Sequence, residues 1–186
     1  MSKIFIGFLF VFLNLSFKLD DTHVINLLPD FIGFMLLYLG TRELREESRR
    51  YTTAAPWLLV LTAYGIAYWL MKLLGIDGGW VTSLLELVAA GVTYYATWLV
   101  IKGFEDIENN NSVEIAASGS MRSWRVCAIL NIVAVALSWV PVVGVLLLLG
   151  MVVVTIMLLA SLNKTRKLYE AFRMIKPQSS NRGPEF

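Results

Sequence analysis

Hydrophobic residues fall into six long stretches along this chain, and short segments of charged, Gly, Pro and Asn residues separate them. Stretches that approach or exceed about eighteen residues with almost no charge are typical of helices that cross a lipid bilayer. The predicted helices cover about residues 4–17, 24–50, 56–75, 79–104, 123–140 and 142–163. We therefore predict an all-α fold, a polytopic six-helix transmembrane bundle that forms one membrane domain over residues 1–176.

The second stretch is unusual because Asn26, Pro29 and Asp30 interrupt its apolar sequence. Proline favours the first turn of a helix, so the pattern predicts a helix that begins near Pro29, with Asn26 as a candidate cap. Asp30 then lies in the first turn, where the helix dipole favours a carboxylate. Only about 15 Å of uninterrupted apolar helix remains, against a bilayer core of about 30 Å. A short, Pro-interrupted span indicates a binding site, whereas the alternative places Asp30 in the headgroup layer.

Polar segments predict where the helices end. Arg42 and Glu46, and Glu46 and Arg50, lie four residues apart, which predicts that the second helix continues into water on one charged face. Residues 75–79 predict a tight turn, and the short connection around Pro141 predicts that the fifth and sixth helices form an antiparallel hairpin. Residues 163–176 predict an amphipathic basic tail helix, and residues 177–186 a disordered tail.

Basic residues are distributed unevenly along the chain. If the N-terminus is cytoplasmic, only Lys18 and Lys72 of the 16 Lys and Arg residues lie on the outer side. Cytoplasmic loops carry an excess of Lys and Arg, and tryptophans favour the two membrane surfaces, as Trp57, Trp98 and Trp124 do at predicted inner helix ends. We therefore predict a multi-pass protein of the cell membrane with both termini in the cytoplasm.

Polar side chains at helical spacing predict a polar layer in the outer half of the bilayer. Tyr68 and Lys72 lie four residues apart, and folding the third and fourth helices about Asp77 places Glu86 opposite Tyr68. Asp30 and Glu86 both lie about 10 Å inside the outer edge. The predicted polar pocket comprises Asn14, Asn26, Asp30, Tyr68, Lys72 and Glu86, and its mouth comprises Asp20, Asp21 and His23.

Glu86 is the residue in this layer that most needs an explanation. An ionisable side chain at membrane depth costs about 2.5–3.5 kcal/mol and therefore faces a partner or water. Three interpretations stay open. Glu86 forms a structural ion pair with Lys72, it forms a proton or cation site together with Asp30, or it is an inert carboxyl that is protonated or faces lipid.

The composition argues against several kinds of chemistry. One cysteine, Cys127, and one histidine, His23, exclude a disulfide within the chain and a zinc site built from Cys and His. Asp20, Asp21, His23 and Asp30 fall short of a matched ligand set for a divalent ion, so we predict no metal site. The sequence has no HExxH motif, no phosphate-binding loop and no nucleophile with an adjacent base. We therefore predict a protein that is not an enzyme, needs no cofactor and binds no nucleic acid.

The segment Asn26-Leu-Leu-Pro-Asp-Phe-Ile-Gly33 follows a short hydrophobic helix and precedes a charged segment. With this arrangement, residues 1–50 resemble a group of small, uncharacterised polytopic membrane proteins of Gram-positive bacteria. The resemblance implies a bacterial multi-pass membrane protein and implies no activity or site residue.

These features lead to two functional hypotheses. The first is a small transporter or channel-like carrier for a cation or small solute, with its binding site in the outer-leaflet polar pocket. The alternative is a non-catalytic accessory or scaffold subunit that binds another membrane protein or lipid through the apolar sixth helix and the basic tail. The expected partners are the lipid bilayer, a cation or proton, and a second copy or another membrane protein.

Overall fold

A computed structural model describes the backbone of residues 1–13, 16–20, 23–26, 29–76, 79–137 and 141–180. The described chain contains six α-helices and one short pair of antiparallel strands. In chain order these are α1 (Ser2–Phe12), β1 (Ser16–Asp20), β2 (His23–Asn26), α2 (Asp30–Glu43), α3 (Arg49–Leu73), α4 (Gly79–Asn111), α5 (Ala117–Ala136) and α6 (Pro141–Ser180).

Three of these helices are long and apolar enough to cross a membrane. They are α3, α4 and the segment Leu149–Ile175 of α6. α1 is a shorter apolar helix, about 16 Å long at 1.5 Å per residue. The helical content and these three candidate spans support the prediction of a helical membrane protein.

The first two predicted helices, 4–17 and 24–50, are shorter than expected because the chain between them forms a hairpin of strands. α1 ends at Phe12, and β1 pairs with β2 in the register Ser16 to Asn26 and Phe17 to Ile25. Pairing the strands gives these backbone groups hydrogen-bond partners outside a helix. α2 then begins at Asp30, with Pro29 in the N-cap position, so the prediction of Asn26 as the cap is wrong. Asp30 lies in the first turn, as predicted.

The predicted charged extension of the second helix over 41–50 does not form. α2 ends at Glu43, a turn covers residues 44–47, and the buried side chain of Leu44 holds this turn against the protein. Ser48 then caps α3, because its Oγ accepts a hydrogen bond from the N–H of Arg50 at 3.1 Å. The pairs four residues apart that involve Glu46 therefore share no helical face.

α3 starts earlier than the predicted residue 56, and Pro56 lies inside it. The Ser48 cap begins the helix two turns before the proline. Proline removes one backbone hydrogen bond from a helix interior. Pro56 is exposed, whereas Ala54, Leu58 and Leu61 are buried along the opposite side of α3. Packing of this buried side stabilises the helix on both sides of the proline.

α4 ends at Asn111, later than the predicted residue 104. α5 begins at Ala117, earlier than the predicted residue 123. The reversal between them occupies only residues 112–116, with Ser112 and Ala116 at φ values of 51° and 59°. Oε1 of Glu108 accepts hydrogen bonds from the N–H groups of Ile115 at 2.8 Å and Ala117 at 3.0 Å. A carboxylate from α4 thus satisfies a donor at the start of α5, which allows the helix to begin there.

α6 is one continuous helix through Ser180, and the predicted boundary at residue 163 is absent. Residues 163–176 are therefore helical, but they continue α6 and do not form the separate tail helix that was expected. The helix runs to Ser180, past residue 177, where the disordered tail is predicted to start, and residues 181–186 lie outside the described part of the chain. Leu162, Thr165 and Tyr169 are all buried. Their helical spacing keeps one packed face through the predicted boundary, so the helix continues for about 60 Å.

Two compact units can be distinguished, Ser2–Gly103 and the part that begins at Phe104. In the first, α1 and α2 cross at Gly7 and Gly33, where a Cβ on either glycine would lie less than 3 Å from the other's carbonyl oxygen. In the second, α5 and α6 are antiparallel, because Leu130 contacts Gly150 while Ser120 contacts Thr165. The predicted hairpin of the last two helices is therefore confirmed.

Candidate functional site

A hydrogen bond between α3 and α4 forms the centre of the candidate site. The hydroxyl of Tyr68 donates to Oε1 of Glu86 at 2.5 Å. Glu86 lies two turns after the start of α4 at Gly79, about 10 Å along the helix. The predicted approach of Glu86 to Tyr68 is therefore confirmed.

Lys72 lies on the same side of α3, one turn after Tyr68. Its ammonium group is 5.4 Å from the centroid of the Tyr68 ring, within the range of a cation–π interaction. Among the described contacts Lys72 forms no ion pair with Glu86. Tyr68 thus contacts the cation through its ring face and the carboxylate through its hydroxyl.

A second tyrosine extends this arrangement along α3. The rings of Tyr64 and Tyr68 stack with centroids 5.9 Å apart and an interplanar angle of 22°. The hydroxyl oxygen of Tyr64 is buried and has no hydrogen-bond partner among the described residues. Tyr64 was not included in the predicted pocket, although it lies four residues before Tyr68 on the same helical face. That four-residue step is the sequence signal that identifies it.

Asp30 reaches the site from the first turn of α2. The next residue, Phe31, packs its side chain over Gly65 and its ring against Trp69, with centroids 6.0 Å apart. This contact fixes the start of α2 against α3. Oδ1 of Asp30 is buried and has no hydrogen-bond partner among the described residues.

These five residues, Asp30, Tyr64, Tyr68, Lys72 and Glu86, are called the polar cluster below. The cluster is open rather than enclosed, because Lys72 and Glu86 are exposed. Glu86 is surrounded on its own helix by exposed apolar side chains, including Leu85 at 50% and Leu87 at 60% exposure. A carboxylate in such a setting needs water or another protein group beside it when the helix lies in a membrane.

The side chains of the remaining predicted site residues lie outside the described part of the structure. Asn14 and Asp21 lie outside the described residues. The backbones of Asp20, His23 and Asn26 lie on the two strands, and their side chains are outside the described part of the structure. Within the described residues, no three His, Cys, Asp or Glu side chains lie close enough together to hold a metal ion.

No protein-family model, curated protein or solved structure matches this chain. The interpretation of the polar cluster therefore rests on its own geometry and chemistry.

Proposed function

We propose that this chain is a polytopic membrane protein that carries a cation, including a proton, or a small cationic solute through the polar cluster. The observation that carries the proposal is the hydrogen bond from Tyr68 to Glu86, which joins two candidate membrane spans. Carboxylates within membrane spans are costly, and they mark ion pathways and proton relays in many transport proteins.

The chemistry of the polar cluster suits a cation. Glu86 and Asp30 supply two carboxylates, and Tyr64 supplies a hydroxyl oxygen without a partner among the described residues. Oxygen atoms of these kinds bind hard cations. The exposed position of Glu86 leaves one side of the cluster accessible to a ligand.

The hairpin of strands supports a hydrated outer region next to the polar cluster. Each strand of a two-stranded sheet has a free edge, and such an edge is tolerated at membrane depth only where protein or water covers it. β2 contacts α3 and is followed by Pro29 and the first turn of α2. Water that reaches the hairpin would therefore also reach Asp30.

The proposed topology has six crossings, with the second helix interrupted at Pro29 and both termini in the cytoplasm. α1 and α2 are each too short to cross about 30 Å alone, at about 16 and 21 Å. In this topology β1 and β2 complete the first and second crossings. The proposed location is the cell membrane, and the proposed role is non-enzymatic.

Flux measurements in proteoliposomes test the proposal. The purified protein is reconstituted in vesicles that contain a pH-sensitive dye, and proton, sodium and potassium gradients are imposed in turn. We expect a flux that Glu86→Gln and Asp30→Asn both abolish, because each removes a negative charge from the polar cluster. Glu114→Gln is the matched control, since Glu114 is an exposed acid between α4 and α5. Wild-type flux in both cluster variants would refute the proposal.

The alternative, a non-catalytic accessory subunit, is favoured by one observation. The outer half of α4 is exposed around most of its circumference, as shown by Leu84, Leu85, Leu87 and Val88 at 50–62% exposure. A helix that is apolar on all sides is covered by protein or lipid. A photo-crosslinking amino acid at position 88 separates these cases in native membranes. One discrete protein adduct supports an accessory role with a protein partner, and adducts with lipid alone contradict a protein partner at this surface.

A further inference from the structure

Hydroxyl groups between α5 and α6 fix the level at which the two helices meet. Oγ of Ser120 lies 2.9 Å from Oγ1 of Thr165 and 3.2 Å from Oγ of Ser161. Ser120 and Thr165 are fully buried. Residue 120 of α5 therefore lies beside residues 161–165 of α6, and side chains near these positions share one level of the hairpin.

Four exposed cations occur at this level. Arg122 and Arg125 project from α5, and Lys164 and Lys167 project from α6. Within the described contacts none of the four forms an ion pair. Arg166 differs from them, because it is partly buried and its Nε lies 3.9 Å from Oε1 of Glu170. We call the four exposed residues the basic collar.

The surface changes from charged to apolar directly beside the basic collar, on both helices. On α5 the next exposed residues are Val126 and Ile129, the second with 62% exposure. On α6 the exposed side chains about two turns before Lys164 are Met157 and Ile156, at 58% and 57%. Trp124 lies within the same level of α5, and tryptophan favours the headgroup region of a bilayer. The collar therefore coincides with the edge of an apolar band that is exposed on both helices.

We propose that the basic collar binds the headgroups of anionic phospholipids in the leaflet at this end of α5 and α6. Guanidinium groups form two parallel hydrogen bonds to a phosphate, and lysine ammonium groups attract phosphate as point charges. The acyl chains of the same lipid would lie along Val126, Ile129, Ile156 and Met157. A free phosphate ion gains nothing from this apolar band, which is why a lipid is the ligand that fits.

Lipid retention by the full-length protein tests this proposal. The protein is titrated with phosphatidylglycerol and, separately, with zwitterionic phosphatidylcholine in detergent micelles, and bound lipid is counted by native mass spectrometry. We expect tighter binding of phosphatidylglycerol, which weakens as salt is added because charge interactions at the surface are screened. The variants Arg122→Gln/Arg125→Gln and Lys164→Gln/Lys167→Gln should each weaken it on the order of tenfold.

Matched variants distinguish lipid binding at the basic collar from a general effect of positive charge on the protein. Arg45→Gln/Arg49→Gln removes two exposed cations from the other compact unit and should leave phosphatidylglycerol binding unchanged. Arg122→Lys/Arg125→Lys keeps the charge and should retain most of the binding, which would show that the loss in the Gln variants is not caused by misfolding. Equal binding of the two lipids, an equal loss in the control variant, or competition by inorganic phosphate at the lipid's own concentration would each overturn the proposal.

Discussion

The hydrogen bond between Tyr68 and Glu86 makes a measurable contribution to stability that can be isolated from other effects. In a double-mutant cycle, Tyr68→Phe removes the donor, Glu86→Gln removes the charged acceptor, and the double variant removes both. The difference between the change in unfolding free energy of the double variant and the sum for the two single variants measures the interaction. Hydrogen bonds between membrane helices average about 0.6 kcal/mol in such cycles and reach about 1.7 kcal/mol. A charged acceptor strengthens such a bond. The exposure of Glu86 reduces the value, so we expect a coupling of about 1 kcal/mol.

The assay is unfolding by sodium dodecyl sulfate in mixed micelles, followed by tryptophan fluorescence. The chain provides a matched control in Tyr64, whose ring stacks on Tyr68 but whose hydroxyl forms no hydrogen bond with Glu86 among the described contacts. A cycle with Tyr64→Phe and Glu86→Gln should therefore give a clearly smaller coupling, because Tyr64 stacks on Tyr68 and forms no hydrogen bond with Glu86 among the described contacts. Equal coupling in the two cycles, or none in the first, would refute the assignment of Tyr68 as the partner of Glu86.

Three further predictions concern the contact between α1 and α2 and the turn between α4 and α5. Gly33→Ala should destabilise the protein by about 1–3 kcal/mol, because its Cβ would lie 2.8 Å from Cγ2 of Val11 and 2.9 Å from the carbonyl oxygen of Gly7. Gly91→Ala is the control: nothing lies within 4 Å of its Cβ, so the change should stabilise α4 by about 0.5–1 kcal/mol. Glu108→Ala should cost about 2–3 kcal/mol, because it leaves the N–H groups of Ile115 and Ala117 without their acceptor. Ala116→Gly should stabilise by up to about 1 kcal/mol, because Ala116 has a φ of 59°, where glycine has no Cβ penalty. All are measured in the same unfolding assay, and a stabilising Gly33→Ala or a neutral Glu108→Ala would contradict the packing described above.

The central pair of the candidate site could be predicted from the sequence because it depends on local rules. A step of four residues places Tyr64, Tyr68 and Lys72 on one face of α3, and a short turn brings the start of α4 back beside the end of α3. Glu86, two turns into α4, is therefore expected to lie beside Tyr68 on α3. The open setting of the site could not be predicted in this way, because it depends on which neighbouring helices cover α4, and that is a property of tertiary packing.

Where a helix begins or ends was predicted less well, and particular residues explain why. The end of α2 depends on the burial of Leu44 and the cap from Ser48. The start of α5 depends on Glu108, which belongs to the preceding helix. A sequence pattern shows that such residues are present, but it does not show which backbone groups they will meet.

By itself, the sequence determined that this is a helical chain with membrane-spanning character and an uneven distribution of basic residues. The length of an apolar run and the positions of its flanking Lys and Arg residues belong to one segment of the chain. They determine whether that segment crosses the bilayer, and in which direction, without reference to the rest of the fold. Only the tertiary structure decided that residues 16–20 pair with residues 23–26 as strands, that α6 continues through residue 163, and that Ser120 and Thr165 align the basic collar. Each of these depends on contacts between groups that are distant in sequence or on burial of one helical face, and the free energy of such contacts exists only after the chain has folded.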